Sequence, residues 1–282
     1  MTARVYSHSL LVAALLASPI WAQSGAKQLS PRDLVKQVIY NELHPSATSN
    51  LRWRYRLEKQ VNGKQEIKAV LETKSGSLDR LLMIDGKPLT SEQNRTEVER
   101  ILRYTQNPEE QHKAEQARQK DAQQCAALMQ VIPDAFLFDY AGRNGSALKI
   151  TFRPNPQFRP SSREGKVLQQ MAGELWVDGD WKRMLSISGH LIEEVRFGGG
   201  FLGHLEKGGQ FIVKFAEISP GAFEMTQLLV NMHGKALMFK SISVQQSEVH
   251  TDFESVPDEL TLSEAANMLL QQVFIAESRG AR

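Results

Sequence analysis

Seven histidines, a single cysteine and 32 carboxylates are the side chains with the means for catalysis or metal binding. Their spacing assembles none of the familiar devices: there is no G-x-S-x-G elbow, no H-E-x-x-H, no phosphate loop and no C-x-x-C. His190, His204 and His233 each sit beside a glycine where a turn is expected, and no two histidines stand at metal-ligand spacing. Asp178 and Asp180 flank Gly179, and the turn chemistry of a hairpin tip accounts for both carboxylates. Residues 197–203 are glycine-rich, but more strand follows them and no helix whose N-terminus could hold phosphate, so a turn or bulge is expected there. Cys125 shares an apolar helical stripe with Leu128, Met129 and Ile132 and is expected to be a buried free thiol used for packing. These readings predict no catalytic residue, no bound metal, no cofactor and no enzymatic activity.

If the chain does not react, it must bind or build, and that depends on the elements it forms. Arg4, an apolar run over residues 10–20 and the junction Ile20, Trp21, Ala22 read as a cleavable signal peptide over residues 1–22. The run is about half the ~20 residues needed to span a bilayer. The junction has no cysteine for lipid attachment, so a released protein of residues 23–282 is expected, periplasmic or secreted. Loss of Arg4 leaves 33 basic against 32 acidic residues, a net charge of +1 that argues against nucleic acid. One cysteine allows no internal disulfide, so a core must supply the stability.

Ser30, Pro31 and Asp33 announce a first helix carrying Leu34, Val35, Val38, Ile39 and Leu43 on one face. From Leu51 the period drops to two: Leu51, Trp53, Tyr55 and Leu57 alternate with Arg52, Arg54, Arg56 and Glu58. Asn62-Gly63, Ser75-Gly76 and Asp85-Gly86 then punctuate a three-strand meander. Residues 91–131 read as an inserted helical pair, the second helix capped by Asn107 and opened by Pro108. Strands resume at Phe136, Phe138 and Tyr140 and continue through short turns, including Gly189-His190 and His233-Gly234, to about residue 249. Thr261 and Glu264 form a capping box for a last helix over residues 262–276, with Leu262, Ala265, Leu269 and Val273 on one side.

The pattern predicts a mainly β protein of the α+β class. It forms one domain over residues 23–282, built on a large curved antiparallel sheet or half-barrel of about ten to eleven strands, with helices covering the concave face. Large apolar residues on alternating positions, namely Trp53, Tyr55, Phe136, Phe138, Trp176, Phe211 and Phe215, together with Leu269 of the last helix, are the candidate lining of an apolar cavity. The same alternation serves a filled core equally well. Eight lysines and arginines against four acids in residues 51–82 give a local +4, which suits either an exposed strand face or contact with anionic groups.

The order of a signal, a capped helix, a meander opening on Leu51 to Leu57, a helical insertion and a run of hairpins resembles the periplasmic lipoprotein-sorting superfamily of the LolA and LolB type. The aromatic strands at residues 173–178 and 210–215 add to the likeness. That resemblance implies an open, strongly curved antiparallel sheet whose concave side holds acyl chains beneath helices. The expected function is therefore an exported carrier of lipid or of an acylated protein. The alternative is a non-catalytic cell-envelope interaction or scaffold module with a filled core.

Overall fold

The computed structural model describes residues 29–44, 51–198, 203–236 and 240–280, with side chains throughout except at 236, 240–243 and 272–280. The signal peptide and its junction lie outside the described residues. Helix α1 (Pro31–Leu43) forms as its sequence dictates: the Ser30 hydroxyl accepts from the Asp33 N–H, Pro31 occupies the first turn, and Leu34, Val35, Val38 and Ile39 are buried. The meander follows as β1 (Arg52–Val61), β2 (Lys64–Thr73), β3 (Gly76–Ile84) and the two-residue β4 (Lys87–Pro88). Asn62 and Gly63 both hold positive φ, as the tight hairpin between β1 and β2 requires.

The inserted pair is α2 (Ser91–Gln106), closed by a reciprocal Thr90–Gln93 capping box, and α3 (Pro108–Ala135), capped by Asn107. Helix α3 runs past the expected end at residue 131 and takes Pro133 into its last turn. So near a helix end the proline forfeits little of the hydrogen-bond ladder, and Arg32 Nε donates to the Pro133 carbonyl at 2.9 Å. Then come β5 (Phe136–Asn144), β6 (Ala147–Pro154), the short α4 (Arg163–Leu168), β7 (Met171–Asp178), β8 (Met184–Leu191), β9 (Val195–Phe197) and β10 (Gly203–Leu205). The chain finishes with β11 (Gln210–Ser219), β12 (Ala222–Ala236), β13 (Lys240–Val256) and α5 (Leu262–Gly280).

All strands belong to one open antiparallel sheet in the order β4-β3-β2-β1-β13-β12-β11-β8-β7-β6-β5, with β10 paired to β12 and to β9. The strand count of thirteen exceeds the expected ten or eleven through the very short β4, β9 and β10. Two expected turns are strand instead. Gly189-His190 lies inside β8, and His233-Gly234 lies inside β12, where Gly234 is needed for close approach: a Cβ there would meet the His204 carbonyl oxygen at 2.1 Å.

The sheet is curled, and α3 measures the curl. Arg118 on α3 donates to the Ser75 carbonyl at the β2–β3 turn at 2.7 Å, while the end of the helix leads directly into β5 at the opposite edge. From Arg118 to Ala135 the helix covers ~26 Å. Strands β2 and β5 lie eight spacings apart in the sheet order, ~38 Å if the sheet were flat. Even with the length of an arginine side chain added, the helix is too short for a flat sheet, so α3 is a chord and the face it crosses is the inner face.

Strand register assigns each side chain to a face. Tyr140, Ile150, Leu175, Ile187, Val213 and Leu228 stand directly opposite one another across β5, β6, β7, β8, β11 and β12, and so share one face. Ile150 and Leu175 pack with Leu34, Val35, Val38 and Ile39 of α1, and Met129 and Ile132 of α3 close the same cluster. A neighbouring cluster sets Leu128 and Val131 of α3 against Phe136, Phe152, Met171 and Leu191. Helices α1 and α3 therefore cover the inner face over β5–β8.

Helix α5 packs elsewhere. Leu71 of β2 stands opposite Arg54 of β1, on the face turned away from Trp53 and Tyr55. Leu71 packs with Leu78, with Ile101 of α2 and with Ala265, Ala266 and Leu269 of α5. Helices α2 and α5 thus cover the outer face at the β1–β3 end. Buried Arg80 fixes them there, donating to the Leu269 carbonyl at 2.8 Å and to Asn94 Oδ1 at 2.7 Å.

Candidate functional site

The inner face changes character along its length. At β5–β8 it is filled core. One cross-sheet row then carries Ile187, Val213 and Leu228 toward Glu248, Lys59 and Glu66, passing from apolar to charged between β12 and β13. The next row runs Phe138, Phe152, Gly173, Gly189, Phe211, Val230 and Gln246. Two glycines facing each other leave a notch in this second row, over which the neighbouring rings lie. A Cβ on Gly189 would meet Phe211 Cε1 at 2.6 Å, and one on Gly173 would meet Phe152 Cζ at 2.7 Å. The helices pack chiefly against β2, β3 and β5, and Phe211, Val213, Leu228 and Val230 in the middle of the face are only half-buried.

The far end of the inner face is an aromatic and acidic cluster. Trp53 is buried and bracketed by two carboxylates: its backbone N–H donates to Glu72 Oε2 at 3.0 Å and its indole N–H to Glu224 Oε1 at 2.8 Å. Burial pushes both carboxyls above their ordinary range, against the opposing pull of the Trp53 donors. Tyr55 is stacked between His250 and Phe253, with ring centroids at 5.0 and 5.3 Å, and Phe253 meets Trp53 edge-on at 6.1 Å. Burial, reinforced by the surrounding carboxylates, raises the Tyr55 phenol far above its ordinary value. Glu248 moves the other way. The His250 ring at 3.6 Å, an ion-pair distance beyond hydrogen-bond reach, and the Lys59 ammonium at 2.7 Å bring its carboxyl down to about 2.

The structure sorts the eight sequence candidates by face. Trp53, Tyr55, Phe136, Phe138, Phe211 and Phe215 share the inner face, with Phe136 in the filled core and Phe138, Phe211 and Phe215 packed against it. Trp176 and Leu269 do not join them. Trp176 alternates with inward Leu175, so it faces out beneath the Lys149 ammonium, 5.7 Å from its ring centre. Leu269 belongs to the outer cluster of α5, on the opposite side of the sheet from Trp53. The side chain of Val273 lies outside the described residues. Phe136 and Phe138 also border a depression of about 620 Å³ at the β5 edge, together with Arg32 and Arg153.

Cys125 is exposed, which corrects its expected burial. Its stripe is real, but Leu128, Met129 and Ile132 find partners on α1 and the sheet, whereas Cys125 sits one turn short of that cover. The basic strand region is not a free patch either. Arg54, Arg56, Lys59, Lys64, Lys68 and Lys74 each pair with an acid, Arg52 donates to the Thr73 and Asp258 carbonyls, and Arg80 is buried. Sequence reasoning missed Val213, Leu228 and Val230, whose aliphatic side chains give no signal apart from parity, and it missed the carboxylates around Trp53. Residues 199–202 of the glycine-rich segment lie outside the described residues. Among the described residues no three His, Cys, Asp or Glu side chains gather as a metal site, and no helix is long and apolar enough to cross a membrane.

No protein-family model matches this chain, and no curated protein matches it. Among solved structures, a DUF1329 family protein from Desulfovibrio piger aligns over 83% of this chain and 95% of that one, at 10% sequence identity and a TM-score of 0.27.

Proposed function

We infer that this protein is an exported, non-catalytic carrier that holds the acyl chains of a lipid or an acylated protein against the inner face of its sheet. The observation that carries the reading is the apolar surface of Phe211, Val213, Leu228 and Val230, which continues the filled core beyond the helical cover and remains half-buried. A core side chain belongs under a lid, and a row of such side chains without one among the described residues suits a ligand that supplies its own apolar surface. Each buried methylene contributes ~0.8 kcal/mol, so about fourteen give ~11 kcal/mol, and with ~4 kcal/mol lost on association the ~7 kcal/mol that remains corresponds to affinity in the micromolar range.

The acidic cluster gives the trough a polar end at Trp53 and Tyr55. On this reading the acyl tail lies toward Phe211 and the headgroup toward Glu72 and Glu224. The near-balanced charge supports a lipid or protein partner over nucleic acid, and periplasmic or secreted placement follows from the signal peptide read in residues 1–22. Nothing in the proposal calls for a metal or cofactor. Organic extraction of natively purified protein followed by mass spectrometry tests it directly, with a fluorescent fatty acid as a second probe. Saturable binding is expected to weaken on Leu228→Glu, which puts an unpaired charge where the chain would lie, and on Trp53→Glu, which adds a third carboxylate beside Glu72 and Glu224 where the headgroup would sit. If neither lipid nor probe binds, the carrier reading fails and the protein is an envelope scaffold with a filled core.

A further inference from the structure

The outer face of the central strands has a chemistry of its own. Gln210, Asn231 and Gln245 stand directly opposite one another across β11, β12 and β13, and His190 of β8 continues the row. The adjacent row runs Ser188, Ile212, Leu229, Ser247 and Gln60. From β8 to β1 neither row contains a charged residue, and charge returns only at Glu174 of β7, opposite Ser188, and at Lys214 two residues along from Ile212, although 23% of the chain is Asp, Glu, Lys or Arg and an exposed strand face is where charges are ordinarily placed. A depression of about 260 Å³ lies over them, lined by Gln60, Gln210, Leu229, Asn231, Gln245 and Ser247 among others. Asn231 lines it through its other atoms, and its Oδ1 is closed off from water and has no hydrogen-bond partner, so a ligand donor reaches that oxygen by a turn of the amide about χ2. An unmatched buried acceptor is unfavourable for folding alone and becomes an asset when a ligand donor satisfies it.

We propose that this depression is a binding site for a neutral saccharide, distinct from the apolar trough on the inner face. Amide side chains present donor and acceptor together, which matches the paired donor and acceptor character of neighbouring sugar hydroxyls. Leu229 provides an apolar floor for the C–H face of a sugar ring. The lining itself carries no charge, which disfavours anionic glycans, nucleic acid and lipid headgroups, to which it offers no counter-ion. A peptide adding itself as a strand is disfavoured by topology: β11, β12, β13 and β1 are paired on both sides, so no backbone edge is on offer here. The volume falls just below the ~300 Å³ at which ligand pockets usually begin, so the site grips one ring and leaves the rest of an oligomer on the surface.

The test uses mature protein and three neutral trisaccharides, chitotriose, maltotriose and cellotriose, with trigalacturonate as the charged control and trialanine as the peptide control. Ligand-observed NMR and calorimetry should show saturable binding of at least one neutral trisaccharide with Kd below ~1 mM, and neither control should compete. Asn231→Leu should weaken that binding about tenfold, the worth of one well-made hydrogen bond, without lowering the thermal midpoint. Gln245→Lys, at an exposed position that folding tolerates, should weaken it similarly, and both variants should keep fatty-acid probe binding unchanged, which separates this site from the inner trough. Failure of all three trisaccharides to bind, unaltered binding in both variants, or equal binding of either control overturns the proposal.

Discussion

Gly173 and Gly189 face each other across β7 and β8, yet adding one methyl group to each should have very different consequences. On Gly189 the new Cβ would meet Phe211 Cε1 at 2.6 Å and Cζ at 3.2 Å, with the Ala172 carbonyl oxygen at 3.5 Å. The crowded atoms belong to the tip of a half-buried ring that can swing aside, so Gly189→Ala should lower stability by ~1 kcal/mol, the low end of overpacking. On Gly173 the Cβ would meet the Ser188 carbonyl oxygen at 1.9 Å and Gly189 Cα at 2.8 Å, both backbone. Relief needs one strand to move ~1.5 Å against its paired neighbour, and Gly173→Ala should cost more than ~3 kcal/mol. Urea unfolding, read as the change in midpoint at constant slope, measures both. Phe211→Leu should recover stability in the Gly189 variant and leave the Gly173 variant unimproved, because the two sites couple to different atoms. Equal losses for the two alanines, or a larger loss at Gly189, would refute the claim that this notch exists to seat the rings and set the depth of the trough.

Cys125, being exposed, should react fully with a water-soluble maleimide in native buffer as fast as it does in denaturant, which mass spectrometry of the intact protein checks. Glu248 has a folded-state carboxyl depressed to about 2 against 4.5 ordinarily, so its stabilisation is present above pH ~4.5 and is lost as the pH falls toward 2; the limit is ~3 kcal/mol. Glu248→Gln should therefore flatten that part of the stability profile. Glu72 and Glu224 carry the opposite sign: their raised values mean the folded state binds protons more readily, so stability falls as the pH rises from about 4.5 through those raised values. The double variant Glu72→Gln, Glu224→Gln should lose that slope in a pH series of thermal midpoints. Arg80→Met should detach α5, leaving the Leu269 and Leu270 carbonyls and Asn94 without their donor; amide hydrogen exchange in α5 should rise while exchange in α1 holds.

Much of this architecture was legible because its signals are local. The Ser30 cap, the Asn107 and Pro108 start, the Thr261 and Glu264 box and the Asn62-Gly63 hairpin each depend on a few neighbouring residues and formed as their chemistry requires. The misreadings share one cause, a residue whose role is set by a distant partner. Gly189-His190 and Gly234 carry the marks of turns, but their glycines serve close packing against Phe211 and the His204 carbonyl. Cys125 carries the mark of a core position, but the helix outruns the surface that would cover it. Arg80 reads as one more exposed cation in a basic strand and is instead buried between two helices and the sheet.

The assignment of faces is the step where sequence runs out. Alternation shows that Trp53 and Tyr55 share a side, and that Leu71 and Thr73 share one, but which sides coincide depends on strand pairing. The register that sets Arg54 against Leu71 decides it, and places α5 opposite Trp53. One consequence reaches across the whole sheet. Inner rows carry core aliphatics and then acids, whereas outer rows over the same central strands carry amides and hydroxyls. Strands β11, β12 and β13 therefore separate two surfaces that no helix among the described residues principally covers, one apolar and one neutral and polar. A strand buried on both faces would read as a continuous apolar run. Residues 227–231, Gln, Leu, Leu, Val, Asn, come close to such a run, and Leu229 on the outer side is the side chain that breaks strict alternation. Its place among Gln60, Asn231, Gln245 and Ser247 shows that it floors a polar depression and does not extend a core, so replacing Leu229 by threonine should leave inner-face probe binding intact and disturb only what binds outside.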